Sequence, residues 1–328
     1  MTNLKTEYMG IELANPFIVG SCGLTRNLEG VRRCADAGAG AVVLKSIFEE
    51  VIVHETRAEV DAAESSMWHP EALEYTRQYA RENEIGSYLR LVSDAKKAVE
   101  VPVIASVHCV SSSVWPQFAE RIEDAGADGL ELNVFVLPSD PSRAHGDLER
   151  LYDEVAEAVT SRVKIPVALK LGSYFTALAA TAARLGGTGV KGLTLFNRFF
   201  SSDIDPGAMS ITRAPTMSGP EEYVLPLRWI SILSGRVGCD LCASTGIHDA
   251  ATAAKMLLAG ARAVQVVSAL YKNGVDHLGE MAQGLAGWME EKGFEDLGAF
   301  RGKLSQSQAD NPAAWERVQF MKFSAGVE

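Results

Sequence analysis

The chain alternates between short apolar runs and longer segments in which apolar residues recur at helical spacing. The short runs are rich in β-branched residues and apolar at consecutive positions, which is typical of strands buried on both faces of a parallel sheet. Eight runs of this kind follow one another: residues 17–22, 41–47, 102–109, 129–135, 166–172, 192–198, 240–246 and 263–269. Between them lie helix-like segments, such as residues 115–125, 148–162, 176–185 and 249–259.

A recurrent sequence pattern marks the transitions from predicted helix to predicted strand. A helical segment ends at glycine and an apolar run follows, at Gly38, Gly126, Gly186–Gly187 and Gly260. Glycine readily adopts the left-handed conformation that ends many helices. Two further runs begin at Pro102 and Pro166, where the first residue of a strand needs no ladder donor.

Strands that alternate with helices predict parallel pairing with right-handed crossovers. Eight such units close a barrel, so the pattern predicts an α/β fold, a single TIM (β/α)₈ barrel over residues 1–328. The alternative is an open, doubly wound sheet. Its G-x-G-x-x-G sequence is absent after the first predicted strand, which favours the barrel.

Several connections are too long to be simple loops. Residues 48–88 follow the second strand, residues 136–146 the fourth, and residues 199–226 the sixth. Insertions after strands lie on the C-terminal face of a barrel, where active sites are built. Residues 294–328 are interpreted as a tail that closes the domain.

The composition agrees with one large soluble core. Of the 328 residues, 47% are hydrophobic, and no run approaches the roughly 18 apolar residues of a membrane span. The first residues lack a basic stretch followed by an apolar run, which predicts no signal peptide and a cytoplasmic location without membrane attachment.

The net charge and the cysteine content argue against nucleic-acid partners, disulfide bonds and a metal site. The net charge of −11 disfavours nucleic acid as a partner, because an acidic protein repels phosphate backbones. The five cysteines are expected to be reduced thiols. Cys239 and Cys242 have C-x-x-C spacing but enter an apolar run, so we interpret them as buried strand residues and predict no metal site.

Polar side chains converge where the predicted strands end. Lys45 and Ser46 end the second strand, Asn133 the fourth, Lys170 the fifth and Asn197 the sixth. A lysine in an apolar strand costs free energy unless its charge is used. The predicted use is in a site at the barrel mouth; the alternative is a structural ion pair within the barrel.

The last two strands indicate a phosphate site. They end in Ser244-Thr245-Gly246 and Val267-Ser268, and each is followed by a helical segment. Backbone amides after strands 7 and 8 are a recurrent phosphate site in such barrels. A phosphate site together with Lys170 suits FMN, because the ammonium can offset the anionic N1/O2 edge of the reduced flavin.

These residues carry a resemblance to a family. KS at 45–46, ELN at 131–133, LKL at 169–171 and FN at 196–197 resemble the class 1 dihydroorotate dehydrogenases. So do STG at 244–246, AGARAVQVVSAL at 259–270 and EKGFEDLGAFRGKLS near the C-terminus. The match runs in order over about residues 5–305.

The resemblance implies a homodimeric FMN barrel that oxidises dihydroorotate to orotate by hydride transfer to flavin N5. It implies catalytic positions at Lys45, Asn133 and Asn197. The residues expected around the FMN are Ser21, Cys22, Gly23, Lys45, Ser46, Asn133, Lys170, Asn197, Ser244, Thr245, Gly246, Val267 and Ser268. We add His108, which ends the third strand.

The sequence departs from the family pattern on the substrate side. Family members have an N-L-S-C-P-N type loop after strand 4, whose cysteine is the base; here that position is Val136, which cannot accept a proton. The S-M-G-L-P-N segment is altered from Ser65 onwards. Of four asparagines that hold the pyrimidine acid in the family, only Asn133 and Asn197 match. The chain therefore resembles a branch that lacks the catalytic cysteine.

Few residues can replace that cysteine. His69 lies in the insertion after strand 2, and histidine titrates near neutral pH. Ser139 loosely matches the serine base of another class of the family. Arg198 is a candidate for a substrate carboxylate, which a guanidinium binds with two hydrogen bonds. Ser65 joins Asn133, Asn197 and Arg198 as an expected substrate contact. The alternative for Arg198 is a salt bridge on the barrel rim.

Three functions remain open from the sequence. The first is an FMN-dependent oxidoreductase that acts on dihydroorotate or a related carboxylate. The second is a non-catalytic or electron-relay FMN subunit that works with a redox partner protein. The third is a flavin-free, phosphate-binding barrel lyase or isomerase in which Lys170 forms a Schiff base.

Overall fold

The computed structural model describes residues 2–48, 71–109, 115–134, 136–142, 144, 146–198 and 201–316. Its strands, in chain order, are β1 (Thr6–Tyr8), β2 (Ile11–Leu13), β3 (Phe17–Val19), β4 (Ala41–Val43), β5 (Ile47–Phe48), β6 (Val103–Cys109), β7 (Gly129–Val134), β8 (Val167–Leu171), β9 (Gly192–Leu195), β10 (Ser202–Asp205), β11 (Ser210–Arg213), β12 (Asp240–Ser244) and β13 (Ala263–Val266).

The helices surround these strands. They are α1 (Leu28–Asp36), α2 (Glu71–Ala98), α3 (Trp115–Asp124), α4 (Asp147–Thr160), α5 (Leu178–Leu185), α6 (Val224–Leu233), α7 (Ala250–Ala259), α8 (Ser268–Asn273), α9 (His277–Lys292) and α10 (Ala313–Glu316). None of the helices in the described part of the chain is both long and apolar enough to cross a membrane.

The main sheet closes on itself. Its parallel order is β4-β3-β13-β12-β9-β8-β7-β6, and β4 also pairs with β6, through Val42 and Val103. The short strand β5 continues the line of β4 and pairs with β6 further along. Residues 41–48 thus occupy one strand position, interrupted at 44–46, and the barrel has eight positions. This confirms the predicted TIM barrel over the open sheet.

The predicted left-handed glycines lie at three of the four helix-to-strand passages. Gly38, Gly126 and Gly260 have φ angles of 93°, 93° and 118°. In the fourth passage the sequence interpretation placed the turn at Gly186–Gly187, whereas the left-handed residue is Gly189, with φ 96°. The difference arises because α5 ends at Leu185 and the turn that follows it spans four residues, 186–189, before the strand begins at Gly192.

An antiparallel hairpin of β1 and β2 closes the floor of the barrel and was not predicted from the sequence. Tyr8 and Leu13 of this hairpin are buried, and the Tyr8 hydroxyl lies 3.3 Å from Oγ1 of Thr194 in β9. The close approach requires a glycine at position 192, since a Cβ there would lie 2.6 Å from the Tyr8 hydroxyl. The floor is therefore sealed, and the carboxyl ends of the strands form the open mouth.

The long connections contain structure of their own. Helix α2 begins at Glu71, inside the predicted insertion 48–88, and buries Ile85 and Tyr88 against the barrel. The insertion 199–226 contains the hairpin β10–β11, whose residues are all exposed. Beyond α9, Leu297 and Phe300 are buried in the domain core.

Candidate active site

A cavity of about 150 Å³ lies at the barrel mouth. It is lined by strand ends and the loops that follow them: Ser21, Lys170, Asn197, Arg198, Thr216, Ser218, Ser244, Thr245, Gly246, Ile247, Gln265, Val267 and Ser268. Nine of these were expected at the site from the sequence. The cavity thus brings together the ends of strands that are far apart in the chain. We refer to it as the mouth pocket.

Lys170 is the charged group at the base of the mouth pocket. It is 6% exposed, and its Nζ donates to Oε1 of Gln265 at 2.6 Å. Oε1 of Glu131, a residue that is 2% exposed, lies 3.6 Å from the same ammonium. A buried charge is tolerated when it is paired and hydrogen-bonded. Because Lys170 also faces the pocket, this ion pair does not exclude a role in binding.

The polar network continues downward from Glu131. Its Oε2 accepts hydrogen bonds from Nε2 of Gln265 and, at 3.0 Å, from Oγ1 of Thr194. Thr194 in turn meets the Tyr8 hydroxyl of the floor hairpin. A chain of hydrogen bonds therefore links the floor of the barrel to the ammonium at its mouth. The sequence interpretation did not include Gln265; a glutamine within the apolar run 263–269 was the available signal.

Asn133 and Asn197 meet at the mouth, as expected from the sequence. Nδ2 of Asn197 donates to Oδ1 of Asn133 at 2.8 Å, and both residues are partly exposed. Each side chain keeps further hydrogen-bonding capacity beyond this bond, and Asn197 lines the mouth pocket. His108, at the end of the neighbouring strand, stacks at a tilt on Phe48 with ring centroids 5.2 Å apart. Together these residues form one side of the opening.

A chain of hydroxyl groups organises the ends of the first three barrel strands. Ser21 Oγ lies 2.9 Å from Ser46 Oγ, which lies 2.8 Å from Ser106 Oγ. The backbone of Ser106 is held by the hydroxyl of Tyr88, which accepts from its N–H at 2.7 Å and donates to its carbonyl at 2.9 Å. The expected flavin contacts Ser21 and Ser46 therefore lie side by side.

Lys45 lies beside this chain but outside the mouth pocket. Its side chain is exposed and its Nζ stands 5.5 Å from the centre of the Phe48 ring. It lines a separate cavity of about 630 Å³, together with Arg26, Ser46 and Glu84. In the described residues Lys45 and Lys170 thus open onto different cavities, although both were expected around one cofactor.

The turn after β12 shapes the phosphate side of the mouth pocket. Thr245 and Gly246 both have positive φ angles, 80° and 75°. A Cβ on Gly246 would collide with the backbone of Tyr223, so only glycine fits there. The backbone N–H of Ser218 donates to Ser268 Oγ at 2.9 Å. The structure thus adds Ser218, from the loop after β11, to the predicted side chains Ser244 and Ser268.

Charges also surround this turn. Lys272 donates from Nζ to the carbonyl of Ser218 at 2.8 Å, and His248 Nε2 lies 3.3 Å from the Ser218 hydroxyl. Burial, followed by the nearby Lys272, lowers the pKa of His248 below its usual value. At neutral pH the region therefore presents hydroxyls, backbone amides and one lysine, a set that favours an anion.

Arg198 is already engaged at the rim. Its Nε and Nη2 bind the two carboxylate oxygens of Glu222 at 2.8 and 3.2 Å. Its Nη1 donates to the carbonyls of Pro215 and Thr216. The pKa of Glu222 is below its usual value: partial burial raises it, but the hydrogen bonds from Arg198 and from the Gly219 N–H lower it further. A substrate carboxylate at Arg198 has to compete with this ion pair.

Cys22 and Gly23, both expected around the flavin, are not among the residues that line the mouth pocket, and Gly23 lines a separate cavity with Tyr271. Cys22 is buried, and burial raises the pKa of its thiol. It is therefore a protonated, packed side chain at neutral pH. A Cβ on Gly23 would lie 2.6 Å from the hydroxyl of Tyr271, so glycine is needed for that contact.

The family's base position, Val136, and one candidate base, Ser139, lie in the loop after β7. Val136 is partly buried, while Leu137 and Ser139 are exposed, and the Ser139 N–H donates to the Leu137 carbonyl at 2.8 Å. The other candidate base, His69, and the expected substrate contact Ser65 lie outside the described residues. Among the described residues of this loop, Ser139, Asp140 and Ser142 have side chains that can exchange a proton, and the Ser142 hydroxyl donates to Oδ1 of Asp140 at 2.6 Å.

Comparisons with known proteins show which family this chain resembles. The family model described as dihydroorotate dehydrogenase matches residues 73–289. A relative from Thermoplasma volcanium, described as dihydroorotate dehydrogenase B (NAD(+)), catalytic subunit, is 27% identical over 317 residues, 90% of this chain and 97% of that protein. A protein of the same description from Methanothermobacter thermautotrophicus is 29% identical, with coverages of 90% and 96%.

A further relative has a different description. The NAD-dependent dihydropyrimidine dehydrogenase subunit PreA of Escherichia coli is 24% identical over 313 residues, which cover 90% of this chain and 75% of that protein. Relatives described as acting on dihydroorotate and on dihydropyrimidine therefore both align over 90% of this chain.

Proposed function

The chain belongs to the dihydroorotate dehydrogenase family, and on that premise we propose that it is an FMN-dependent enzyme that oxidises dihydroorotate to orotate, or a related carboxylate substrate. Family membership makes it an oxidoreductase that acts on a CH–CH bond. The observation that carries the proposal is the buried ammonium of Lys170, held by Gln265 and presented to a pocket lined with hydrogen-bond donors.

The donor set of the mouth pocket fits FMN. Ser244, Gly246 and Ser268 lie at the ends of β12 and β13, where a phosphate group suits hydroxyls and backbone amides. Lys170 and Asn197 lie at the ends of β8 and β9 and offer an ammonium and an amide to the polar edge of a ring system. When bound, FMN would accept a hydride from the substrate.

The chain's own residues would then position both molecules. Lys170 supplies the positive charge that a reduced flavin favours. Asn133 and Asn197, hydrogen-bonded to one another, would supply amide groups for a pyrimidine or amide substrate. Arg198 would bind a substrate carboxylate if that carboxylate displaced Glu222. Lys45 would approach the bound molecules from the cavity that it lines.

The proton step separates this chain from its family pattern. Oxidation of a CH–CH bond removes a hydride and a proton, so a base must take the proton. Valine at position 136 cannot do this. We propose that Ser139 or His69 takes the role; in support, Ser139 is exposed on the loop that follows β7, the strand that carries Asn133. A weak base would favour a substrate more acidic than dihydroorotate.

The descriptions of the relatives support a partner protein for this chain. Because two of them are described as catalytic subunits, we propose that this chain also passes its electrons to a partner subunit. We further propose a homodimer. The hairpin β10–β11 supports it, because Ile204 and Ile211 pair across the hairpin and are 71% and 82% exposed, a surface that favours association.

An anaerobic titration tests the proposed function. The purified protein is expected to carry FMN, visible as flavin absorption bands, and dihydroorotate should bleach those bands without oxygen. If the flavin stays oxidised with dihydroorotate but is bleached by dihydropyrimidines, the substrate is a dihydropyrimidine and the proposed enzyme class still holds. A flavin that only a reduced partner protein bleaches would favour the electron-relay function. A colourless protein that does not bind added FMN would contradict the proposal.

A further inference from the structure

A second polar cavity lies on the opposite face of the barrel. Its volume is about 580 Å³, within the range of roughly 300–1,000 Å³ that small-molecule sites occupy. Asp240 begins β12, and Arg262 directly precedes β13. Since the strands are parallel, this cavity lies at their amino-terminal ends, whereas the mouth pocket lies at their carboxyl ends. We refer to it as the floor cavity.

Arg301 lines the floor cavity with an incompletely used guanidinium. One Nη2 hydrogen bond, at 2.7 Å, goes to the hydroxyl of Thr6. Its Nε is buried and has no partner among the described residues. Burial, and next the nearby Arg262, lowers the pKa of Arg301. Even so, arginine stays charged at physiological pH. The side chain as a whole is partly buried, and a partly buried guanidinium that no carboxylate binds is a group that an anion would stabilise.

The acidic groups near the floor cavity already have partners. Asp240 binds Arg262 through Oδ1 at 3.2 Å and accepts from the N–H of Met9 through Oδ2 at 2.9 Å. Asp296 accepts from the N–H of Ala299 at 2.8 Å. These carboxylates offset part of the local positive charge. Neither forms an ion pair with Arg301 within the described part of the chain, so its charge remains available to a ligand.

The walls of the floor cavity expose backbone. Gly235, Gly260 and Gly302 line it with φ angles of 76°, 118° and 73°. Between two of them, the N–H groups of Val237 and Gly238 have no hydrogen-bond partner among the residues that the structure describes. Glycine walls without side chains let a ligand approach such donors. Backbone amides beside a guanidinium are the usual surroundings of a bound oxyanion.

We propose that the floor cavity is a binding site for the oxyanion of a small molecule, a phosphate or carboxylate group, with Arg301 and Arg262 as its guanidinium ligands. Arg301 offers Nη1 and the remaining Nη2 hydrogen to two oxygens of the anion. Arg262, half exposed and turned toward Asp240, supplies the second positive charge at the entrance. The site is independent of the flavin, because the length of the barrel separates it from the mouth pocket.

Calorimetric titration with inorganic phosphate tests the site on protein saturated with FMN, against sodium chloride of equal ionic strength. The wild type is expected to bind one phosphate saturably, and Arg301→Gln to bind it at least tenfold more weakly. Arg236→Gln is the matched control: Arg236 is exposed in the same loop and does not line the floor cavity. It removes the same charge and should leave the affinity unchanged. Acetate and malonate in place of phosphate distinguish a carboxylate site from a phosphate site.

Hydrogen exchange on the wild type gives a readout that needs no variant. Phosphate should slow exchange at residues 235–239 and 298–302. Arg262→Gln, whose side chain is half exposed, keeps the test valid if Arg301→Gln does not fold. Phosphate binding that persists in Arg301→Gln and protects only residues 244–246 would assign it to the mouth pocket and overturn the proposal. So would the absence of saturable binding in the wild type, whether or not the protein carries flavin.

Discussion

The ammonium of Lys170 and the side-chain carbonyl of Gln265 meet at 2.6 Å inside the barrel, although the residues are 95 positions apart in the chain. The pair joins β8 to β13 across the barrel, and Glu131 of β7 completes it from a third strand. A charge that three strands fix in place cannot turn away from the mouth. This arrangement lets Lys170 act on a ligand without reorganisation.

Removal of Glu131 should destabilise the fold strongly. Glu131→Gln leaves the buried Lys170 without its negative partner, and breaking a buried pair typically costs about 3–5 kcal/mol. Lys170→Met should also destabilise the fold, and the double variant should lose less than the sum of the two. Urea denaturation of the four proteins measures this coupling. Arg184→Gln, which breaks the more exposed pair with Asp153, should cost no more than about 1 kcal/mol. Additive losses at Glu131 and Lys170 would show that the two charges act separately.

Loss of the Lys170 charge should weaken the flavin site. Lys170→Ala removes the ammonium that faces the mouth pocket, so the protein should retain less FMN or reduce it more slowly. Flavin content after dialysis and the anaerobic reduction rate measure the two effects. Lys164→Ala, an exposed lysine at the amino-terminal end of the barrel, is the control. Equal flavin content and rate in both variants would remove Lys170 from the flavin site.

His277 should stabilise the protein more at low pH than at high pH. Its Nε2 lies 2.9 Å from the His248 carbonyl and its Nδ1 2.6 Å from Oε2 of Glu280. Partial burial lowers the pKa of His277, but these acceptors raise it further, so the folded pKa lies above the unfolded value of 6.5. The stabilisation is complete below pH 6.5 and is lost as the pH rises through the folded pKa.

Urea midpoints of the wild type and His277→Gln measure this difference. The gap between the two should be larger at pH 6 than at pH 9. His248 is a control for which the pH dependence of stability should have the opposite sign, because its pKa is lowered in the folded state. Protonation of His248 at low pH therefore destabilises the folded state relative to the unfolded state. The gap for His248→Gln should therefore move in the other direction. A His277 gap that grows toward pH 9 would rule out protonation as its cause.

A cysteine at position 136 should restore the proton step if dihydroorotate is accepted. Val136→Cys puts a thiol at the family's base position, and a positioned base contributes about 10²–10⁴-fold in rate. Anaerobic reduction of the flavin by dihydroorotate should accelerate at least tenfold. Leu137→Cys puts a thiol on the exposed neighbouring residue, which is 52% exposed, and should have no effect. Equal rates in the two variants would exclude dihydroorotate as the substrate or position 136 as the site of the base.

The arrangement of strands and helices could be predicted because it depends on local pattern. The eight apolar runs and the helix-ending glycines at 38, 126 and 260 each lie where the pattern indicated, since burial and backbone conformation select residue types position by position. The β1–β2 hairpin escaped prediction because its strands have three residues each, too few to show a period.

The residues of the candidate site show the same difference between what local pattern predicts and what it does not. Residues at strand ends, such as Lys170 and Asn197, were predicted because the barrel topology fixes which end of each strand forms the mouth. Thr216 and Ser218 were not assigned to it, because they reach the mouth pocket on a loop whose path depends on tertiary contacts such as that between Arg198 and Glu222. Local sequence carries no record of such contacts.

The sequence by itself determined the barrel, its family and the residue types at its mouth, since each depends on periodicity or on motifs within a few neighbouring positions. Only the tertiary structure decided that Lys170 is held by Glu131 and Gln265, that Lys45 opens onto a different cavity, and that Arg198 is bound by Glu222. Those are distances between residues far apart in the chain. They are set by closure of the barrel and by the satisfaction of buried charges.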